Sequence, residues 1–421
     1  MGILYRETAV AAPETPPLEG ERRCDVLVVG AGLTGLSTAW HLVERGAAVT
    51  VLDAEAPGFG ASGRNGGQVN PGLKCDPDEV ERHFGPERGR RMNAFAGEAP
   101  GYVFSLIERL GLRCEARRNG TVRAAVHPRQ LEAVRRTAEQ WIARGAPVEY
   151  LDREAVAAVT GCERYAGAML DRRGGDLNPL SLAREIARVA LGAGAAVHGD
   201  SRVLSLEPAG GGAWRARAAR GSVTAKSVVL ATNGYTDALA PDLRRSIVPL
   251  FGSVAATAPL DEAIAARILP GRNVLYETGR VTVYYRLDRA NRLVIGGRGP
   301  MREIADAAAI PQIREYARRL WPALSRVAWT HGWGGRLAMT PDHYPHLHEL
   351  APGLIAFLGY NGRGVALATA MGAELARRAL DPRADLAMPV TNPKSIPLHP
   401  LWPLAVKAAI WHGRVSDFLG R

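Results

Sequence analysis

Residues 24–55, CDVLVVGAGLTGLSTAWHLVERGAAVTVLDAE, constrain the fold more than any other part of the chain. Val26 to Val29 form an unbroken aliphatic run, as a strand buried on both faces requires. Gly30, Gly32 and Gly35 follow in a G-x-G-x-x-G spacing, with Leu33 and Thr34 between the last two. Here Gly30 permits the tight turn, Gly32 lets a pyrophosphate approach the backbone and Gly35 lets the helix pack on the strand. Leu36, Ala39, Leu42 and Val43 recur at helical spacing, Gly46 ends the helix, and Ala48 to Leu52 supply a second strand. Asp53, 18 residues after Gly35 and followed by Ala54, places a carboxylate where ribose hydroxyls can donate to it. All these parts are in register, so the segment predicts a βαβ dinucleotide-binding unit.

Composition narrows the remaining choices. At 421 residues the chain suits two or three lobes. Its 47% apolar and 23% charged residues exclude disorder, collagen-like repeats and a disulfide scaffold. The formal charge of +11 does not point to nucleic acid, because only Lys74, Lys226, Lys394 and Lys407 are lysines and the arginines are scattered beside acids. An anionic substrate remains compatible with it. Cys24, Cys75, Cys114 and Cys162 lack metal-ligand spacing, and reduced thiols in a cytoplasmic, soluble protein are expected. No stretch resembles a secretory signal or a membrane span.

Further strands decide which dinucleotide. Ala196 to Leu206, with Val203, reads as a strand, and residues 223–235 read as another that ends in Ala231, Thr232 and Asn233. Sheet strands that return so late imply a nucleotide domain interrupted by an insertion, which suits two-domain flavoproteins better than nicotinamide dehydrogenases. The loop Gly58 to Gln68 is rich in Gly, Ala and Ser, so it can yield to a flat ring, with Ser62 and neighbouring amides as phosphate donors. Asn361, Gly362, Arg363 and Gly364 precede a helix that starts near Val365, giving exposed amides and a positive dipole end.

The run Gly60-Ala61-Ser62-Gly63-Arg64-Asn65-Gly66-Gly67-Gln68 resembles the FAD-dependent amine and amino-acid oxidases of the D-amino-acid oxidase superfamily, and most nearly the γ-glutamylputrescine oxidase group. Matching stretches include Gly174-Gly175, Leu177-Asn178-Pro179, Tyr285-Arg286, Gly296-Gly297-Arg298, Trp333-Gly334-Gly335, Thr340-Pro341-Asp342 and Gly359 to Val365. The resemblance implies an α/β, two-domain flavoprotein: a Rossmann-like FAD-binding domain of glutathione-reductase type and an antiparallel-sheet substrate domain. The expected division is an N-terminal extension (1–21), an FAD domain (22–75, 165–245, 335–385), a substrate domain (76–164, 246–334) and a C-terminal tail (386–421). Strands 280–286 and 292–295 should form a hairpin in the substrate sheet, and residues 128–144 and 311–320 should be helices. In the tail, a helix near 404–419 with Trp402, Trp411 and Phe418 could touch a membrane surface or fold back on its own domain.

The resemblance further implies noncovalent FAD, since no cysteine follows Cys162. The cofactor would take a hydride from the carbon beside an amine nitrogen; hydrolysis of the imine gives an aldehyde and ammonia, and oxygen becomes hydrogen peroxide. Expected cofactor contacts are Gly30, Gly32, Leu33, Thr34, Gly35, Asp53, Ala54, Ser62, Arg64 to Gln68, Val203, Ala231 to Asn233 and Asn361 to Val365. Arg64, Arg298, Arg336 and Tyr285 are the expected catalytic and substrate residues, with Arg286 and Arg363 as other carboxylate clamps and Tyr284 and Trp333 as walls. Lys226 is expected to be structural. His331, His343, His346 and His348 cluster around Asp342, but the last three sit in a loop punctuated by Pro341 and Pro345 that does not suit a metal. Two alternatives stay open: a D-amino-acid or N-methyl-amino-acid oxidase or dehydrogenase with a quinone acceptor, and a non-catalytic FAD-binding subunit.

Overall fold

The computed structural model describes residues 2–279, 282–408 and 413. The first sheet is the expected nucleotide layer. Its five parallel strands run in the order Leu354–Leu358, Gly221–Leu230, Gly20–Val29, Val49–Leu52 and Ala196–His198. The unbroken aliphatic run follows from burial on both faces. Val26 and Val28 enter one core with the helices Leu33–Val43 and Gly364–Leu380, while Leu27 and Val29 enter another with Leu52 and Val228. The strand expected over 196–206 is split. It stops at His198, and Ser205–Ala209 begins a hairpin with Ala213–Arg217 that pairs along Gly221–Leu230.

The second sheet has eight strands, ordered Trp329–Met339, Val248–Thr257, Leu293–Arg298, Tyr284–Leu287, Val274–Thr278, Thr121–Ala125, Gly167–Asp171 and Val148–Leu151. All neighbours are antiparallel except Val274–Thr278 beside Thr121–Ala125. The expected hairpin is present as Tyr284–Leu287 and Leu293–Arg298; Arg280 and Val281 lie outside the described residues. Helices Pro128–Ala143 and Pro311–Leu320 stand where the sequence puts them.

Sheet pairing moves the domain boundaries. Gly167–Asp171 pairs with Thr121–Ala125, and Trp329–Met339 pairs along Val248–Thr257, so both strands belong to the second sheet rather than the FAD domain. Helix Pro86–Leu110, inside the expected substrate segment, buries Met92, Ala96 and Val103 in the nucleotide layer's core. The N-terminal segment is not a loose extension. Helix Leu4–Thr8 buries Leu4 and Tyr5 beside Trp333 and Val254, and Ser181 and Ser201 accept from the amides of Val10 (3.1 Å) and Leu18 (2.8 Å). In the tail, residues 402–408 are helical and largely exposed, while Trp411 and Phe418 lie outside the described residues.

Candidate active site

A cavity of about 910 Å³ is lined by both layers. Gly30, Gly32, Leu33, Thr34, Asp53 and Ala54 bound one end, and Val203, Ala231, Thr232 and Asn233 lie along it. The glycines are required where the backbone crowds. At Gly30, φ is +109° and a Cβ would stand 2.8 Å from Ala231 O; at Gly35, a Cβ would stand 1.9 Å from Gly30 O. Gly35 therefore packs behind the cavity and does not line it. Ser62 Oγ accepts from the Leu33 amide at 2.9 Å, so the small-residue loop closes over the N-terminus of helix Leu33–Val43.

Asp53 accepts from the amides of Ala31 (2.5 Å) and Glu55 (2.9 Å). Desolvation by burial outweighs these donors and raises its carboxyl to about 6. The sign follows. Because the folded value lies above the ordinary 3.8, the apoprotein loses stability as pH rises from 3.8 through about 6. A charged carboxylate is the better acceptor for ribose hydroxyls, so FAD affinity should rise across that interval. Asp53→Asn is expected to weaken FAD binding about tenfold and flatten its pH dependence, as for one lost charge-assisted hydrogen bond. Fluorescence titration of the apoprotein with FAD over this pH range checks both.

The loop Gly58–Gln68 is held by its own side chains. Asn65 Nδ2 donates to Ala61 O (3.1 Å) and Ser62 O (2.9 Å), and Asn65 Oδ1 accepts from the Gly67 amide (2.7 Å). Gln68 lines the cavity but spends its amide nitrogen on Leu275 O (2.8 Å) and Tyr285 O (3.2 Å). Gly67 lies behind the cavity, at φ +73°, where a Cβ would meet Leu177 O at 2.4 Å. At the far side the N-terminus of helix Gly364–Leu380 opens onto the cavity through Asn361, Gly362, Arg363, Gly364 and Val365. Asn361 fixes that turn by accepting from the Thr340 amide (3.0 Å) and donating to Gly359 O (2.6 Å).

The substrate candidates separate on inspection. Tyr285 is not in the site: it is fully buried in the second sheet's core, hydrogen-bonded to Tyr165 (2.7 Å) and edge-on to Trp321. Strand alternation turns its neighbour Tyr284 to the cavity, where the ring fits against Gly66 and Gly296, whose Cβ atoms would clash with it. Trp333 is buried behind the loop, donating to Arg64 O at 3.0 Å. Arg286 also faces away, bonded to Gly66 O (2.7 Å) and Asp176 (2.9 Å).

Arg64, Arg298, Arg336 and Arg363 do line the cavity. Arg64 is engaged by Phe59 O (2.8 Å) and Glu303 (3.5 Å), and Arg363 by Pro71 O (2.6 Å) and Tyr276 Oη (2.7 Å). Arg336 lies over Tyr235 at 5.5 Å. His343 reaches the cavity and His331 pairs with Glu7 (3.0 Å), whereas His346 pairs with Asp342 (3.1 Å) and stacks on His348 with ring centroids 5.4 Å apart. Lys226 is exposed and paired with Asp25 (2.8 Å).

Lys74 was missed by sequence reasoning. It faces the open volume of the cavity, yet protein surrounds it enough for desolvation, then Arg363, Arg123 and Arg298, to lower its ammonium to about 8. Its one sequence signal is that it is a rare lysine shortly after the small-residue loop. Tyr276, beneath Arg363, was missed as well.

Residues 25–378 match the family model described as DAO, FAD dependent oxidoreductase. The chain belongs to that family. It is 33% identical over 368 residues to gamma-glutamylputrescine oxidoreductase of Escherichia coli K12, covering 84% of each chain, and 32% identical over 385 residues to the probable oxidoreductase OrdL of Rhizobium meliloti, covering 91% and 89%. Glycine oxidase from Geobacillus kaustophilus shares the fold, with a TM-score of 0.73 at 22% identity over 87% of this chain and 97% of that one. L-proline dehydrogenase from P. horikoshii does so at 0.71 and 19%, covering 88% and 96%. This member of the DAO family is thus an FAD-dependent oxidoreductase, and the glycine cradle, Asp53 and the helix N-terminus suit that cofactor. Among the described residues no helix is long and apolar enough to cross a membrane.

Proposed function

We propose that this oxidoreductase oxidises the C–N bond of γ-glutamylputrescine or a similar acylated amine. One amine, one oxygen and one water would become an aldehyde, ammonia and hydrogen peroxide. The observation that carries the reading is the 33% identity to a gamma-glutamylputrescine oxidoreductase across 84% of both chains. Bound in the cavity, FAD would supply the two-electron acceptor, and among the described lining residues no cysteine offers it a thioether link. Gly30 to Thr34, Asp53 and Ser62 would hold its phosphates and ribose. The amides opening at Gly364 and Val365 would stabilise negative charge at the far end. Tyr276 and Tyr284 line the cavity and would wall the substrate end.

Four free thiols support a reducing compartment, the cytoplasm. The alternative substrate class, small amino acids, is favoured by the likeness to glycine oxidase, 24% identical over 363 residues. A peroxide-coupled assay with γ-glutamylputrescine, glycine, sarcosine and D-amino acids separates the readings. Peroxide in step with ammonia from the acylated amine is expected. Reduction of a dye or quinone without peroxide would replace oxygen as acceptor, and turnover of glycine or a D-amino acid alone would overturn the proposed substrate.

A further inference from the structure

The C-terminal stretch leaves apolar surface in water. Of the eight large hydrophobic residues that are exposed among the described residues, four lie between 390 and 404: Val390, Leu398, Leu401 and Leu404, the last three being 76%, 52% and 62% exposed. These leucines recur every third residue through the turn His399–Leu401 and the helix over 402–408, with the half-buried Trp402 between the second and third in sequence. The stretch is tied to the body of the protein. The Ile396 amide donates to Arg245 O, and the buried His399 donates through Nε2 to Ile247 O, each at 2.9 Å. That anchorage holds the leucines at the surface without covering them.

The charge around them is of one sign. Residues 386–416 contain no Asp or Glu and carry Lys394, Lys407 and Arg414. Lys394 and Lys407 are exposed, and the carbonyl that anchors Ile396 belongs to helix Pro241–Arg245, whose Arg244 is exposed as well. Among the described residues none of Lys394, Lys407 and Arg244 has an ion-pair partner, whereas Arg245 is paired with Asp242 at 2.6 Å. This combination selects the occupant. A second copy seated on the same patch would bring unpaired cations together, in a chain whose formal charge is already +11. An anionic bilayer takes up both features: leucine and tryptophan side chains enter the boundary of headgroups and acyl chains, and the cations meet lipid phosphates.

We propose that residues 396–408, flanked by Lys394 and Arg244, dock this oxidoreductase on an anionic lipid surface. Because no described helix is long and apolar enough to span a membrane, this contact lies on the surface. The inference is independent of which amine is oxidised.

The test is flotation of the full-length, FAD-loaded protein with vesicles of mixed phosphatidylcholine and phosphatidylglycerol, against vesicles of phosphatidylcholine alone. Wild type should float with the mixed vesicles only, and added salt should release it. Lys394→Gln and Lys407→Gln should each weaken binding about fivefold, the effect of one cation near such a surface, and Lys→Arg at either position should not. Leu401→Asp combined with Leu404→Asp should abolish binding, with flavin content and thermal midpoint unchanged because both side chains already face water. No binding of wild type to the mixed vesicles, or equal binding to phosphatidylcholine alone, would overturn the proposal. So would a leucine double variant that floats like wild type, since the net charge of the protein would then suffice. A wild type that ignores vesicles but sediments as a dimer, with a monomeric leucine variant, would assign the patch to a second copy and overturn the lipid surface.

Discussion

Asp176→Ala is expected to destabilise the protein by about 3–5 kcal/mol and to release FAD, because it strands buried charge. Asp176 is 1% exposed and accepts from Arg117 (2.9 and 2.7 Å), Asn119 (3.0 Å) and Arg286 (2.9 Å). Arg286, itself buried, donates onward to Gly66 O at 2.7 Å. The strand pairing of Gln68 and Val69 with Asp176 and Gly175 fixes the same loop from below. Removing the carboxylate leaves the Arg286 guanidinium with no counter-ion at this point and loosens the floor of the loop that lines the cavity. Denaturant unfolding of the apoprotein reads the stability, and the flavin-to-protein absorbance ratio after gel filtration reads retention. A fully yellow Asp176→Ala protein of wild-type stability would contradict this account. Asp176→Asn, which keeps hydrogen-bond acceptance but not charge, should fall between the two.

Gly35→Ala should yield a folded protein that does not retain FAD. The added methyl would sit 1.9 Å from Gly30 O and 3.1 Å from Val28 Cγ1, and the first of these is backbone that cannot rotate away. Relief requires helix Leu33–Val43 to move off the strand, which withdraws the amides that would meet the pyrophosphate. Overpacking of this kind costs about 1–3 kcal/mol or more, which a folded chain can survive but which weighs heavily on cofactor binding. A loss of at least about a hundredfold in FAD affinity is expected, equivalent to roughly 3 kcal/mol. Apoprotein circular dichroism should be near wild type; tight FAD binding by the variant would show that the close strand–helix contact is not needed.

The glycine-rich end of the cavity was legible in the local sequence because its physics is local. Tight turn, close approach and helix start are each set by residues a few positions apart, so Gly30, Gly32, Gly35 and Asp53 were readable. The substrate half depends on which face of a strand a residue occupies and on contacts far along the chain. Tyr284 and Tyr285 are indistinguishable by type, and only the pairing of Tyr284 with Gly296 reveals which ring has room to face the cavity. Arg286 looked like a clamp until its partner Asp176, distant in sequence, was beside it. The N-terminal residues looked like an extension because burial of Tyr5 against Trp333 is purely tertiary. The split of strand 196–206 is different, because the run His198-Gly199-Asp200-Ser201-Arg202 interrupts the apolar pattern and carries turn residues, with Asp200 at φ +46°.

The most direct measurement of the central claim, that this chain oxidises amines with FAD, is an anaerobic titration of the purified yellow protein. Amines are added one at a time, from γ-glutamylputrescine to putrescine, sarcosine, glycine and D-amino acids, while the flavin spectrum is recorded. The account predicts rapid bleaching by the carboxylated amine γ-glutamylputrescine and recovery of the oxidised spectrum when air is admitted. A protein that holds FAD yet stays oxidised with every amine in the series would contradict it.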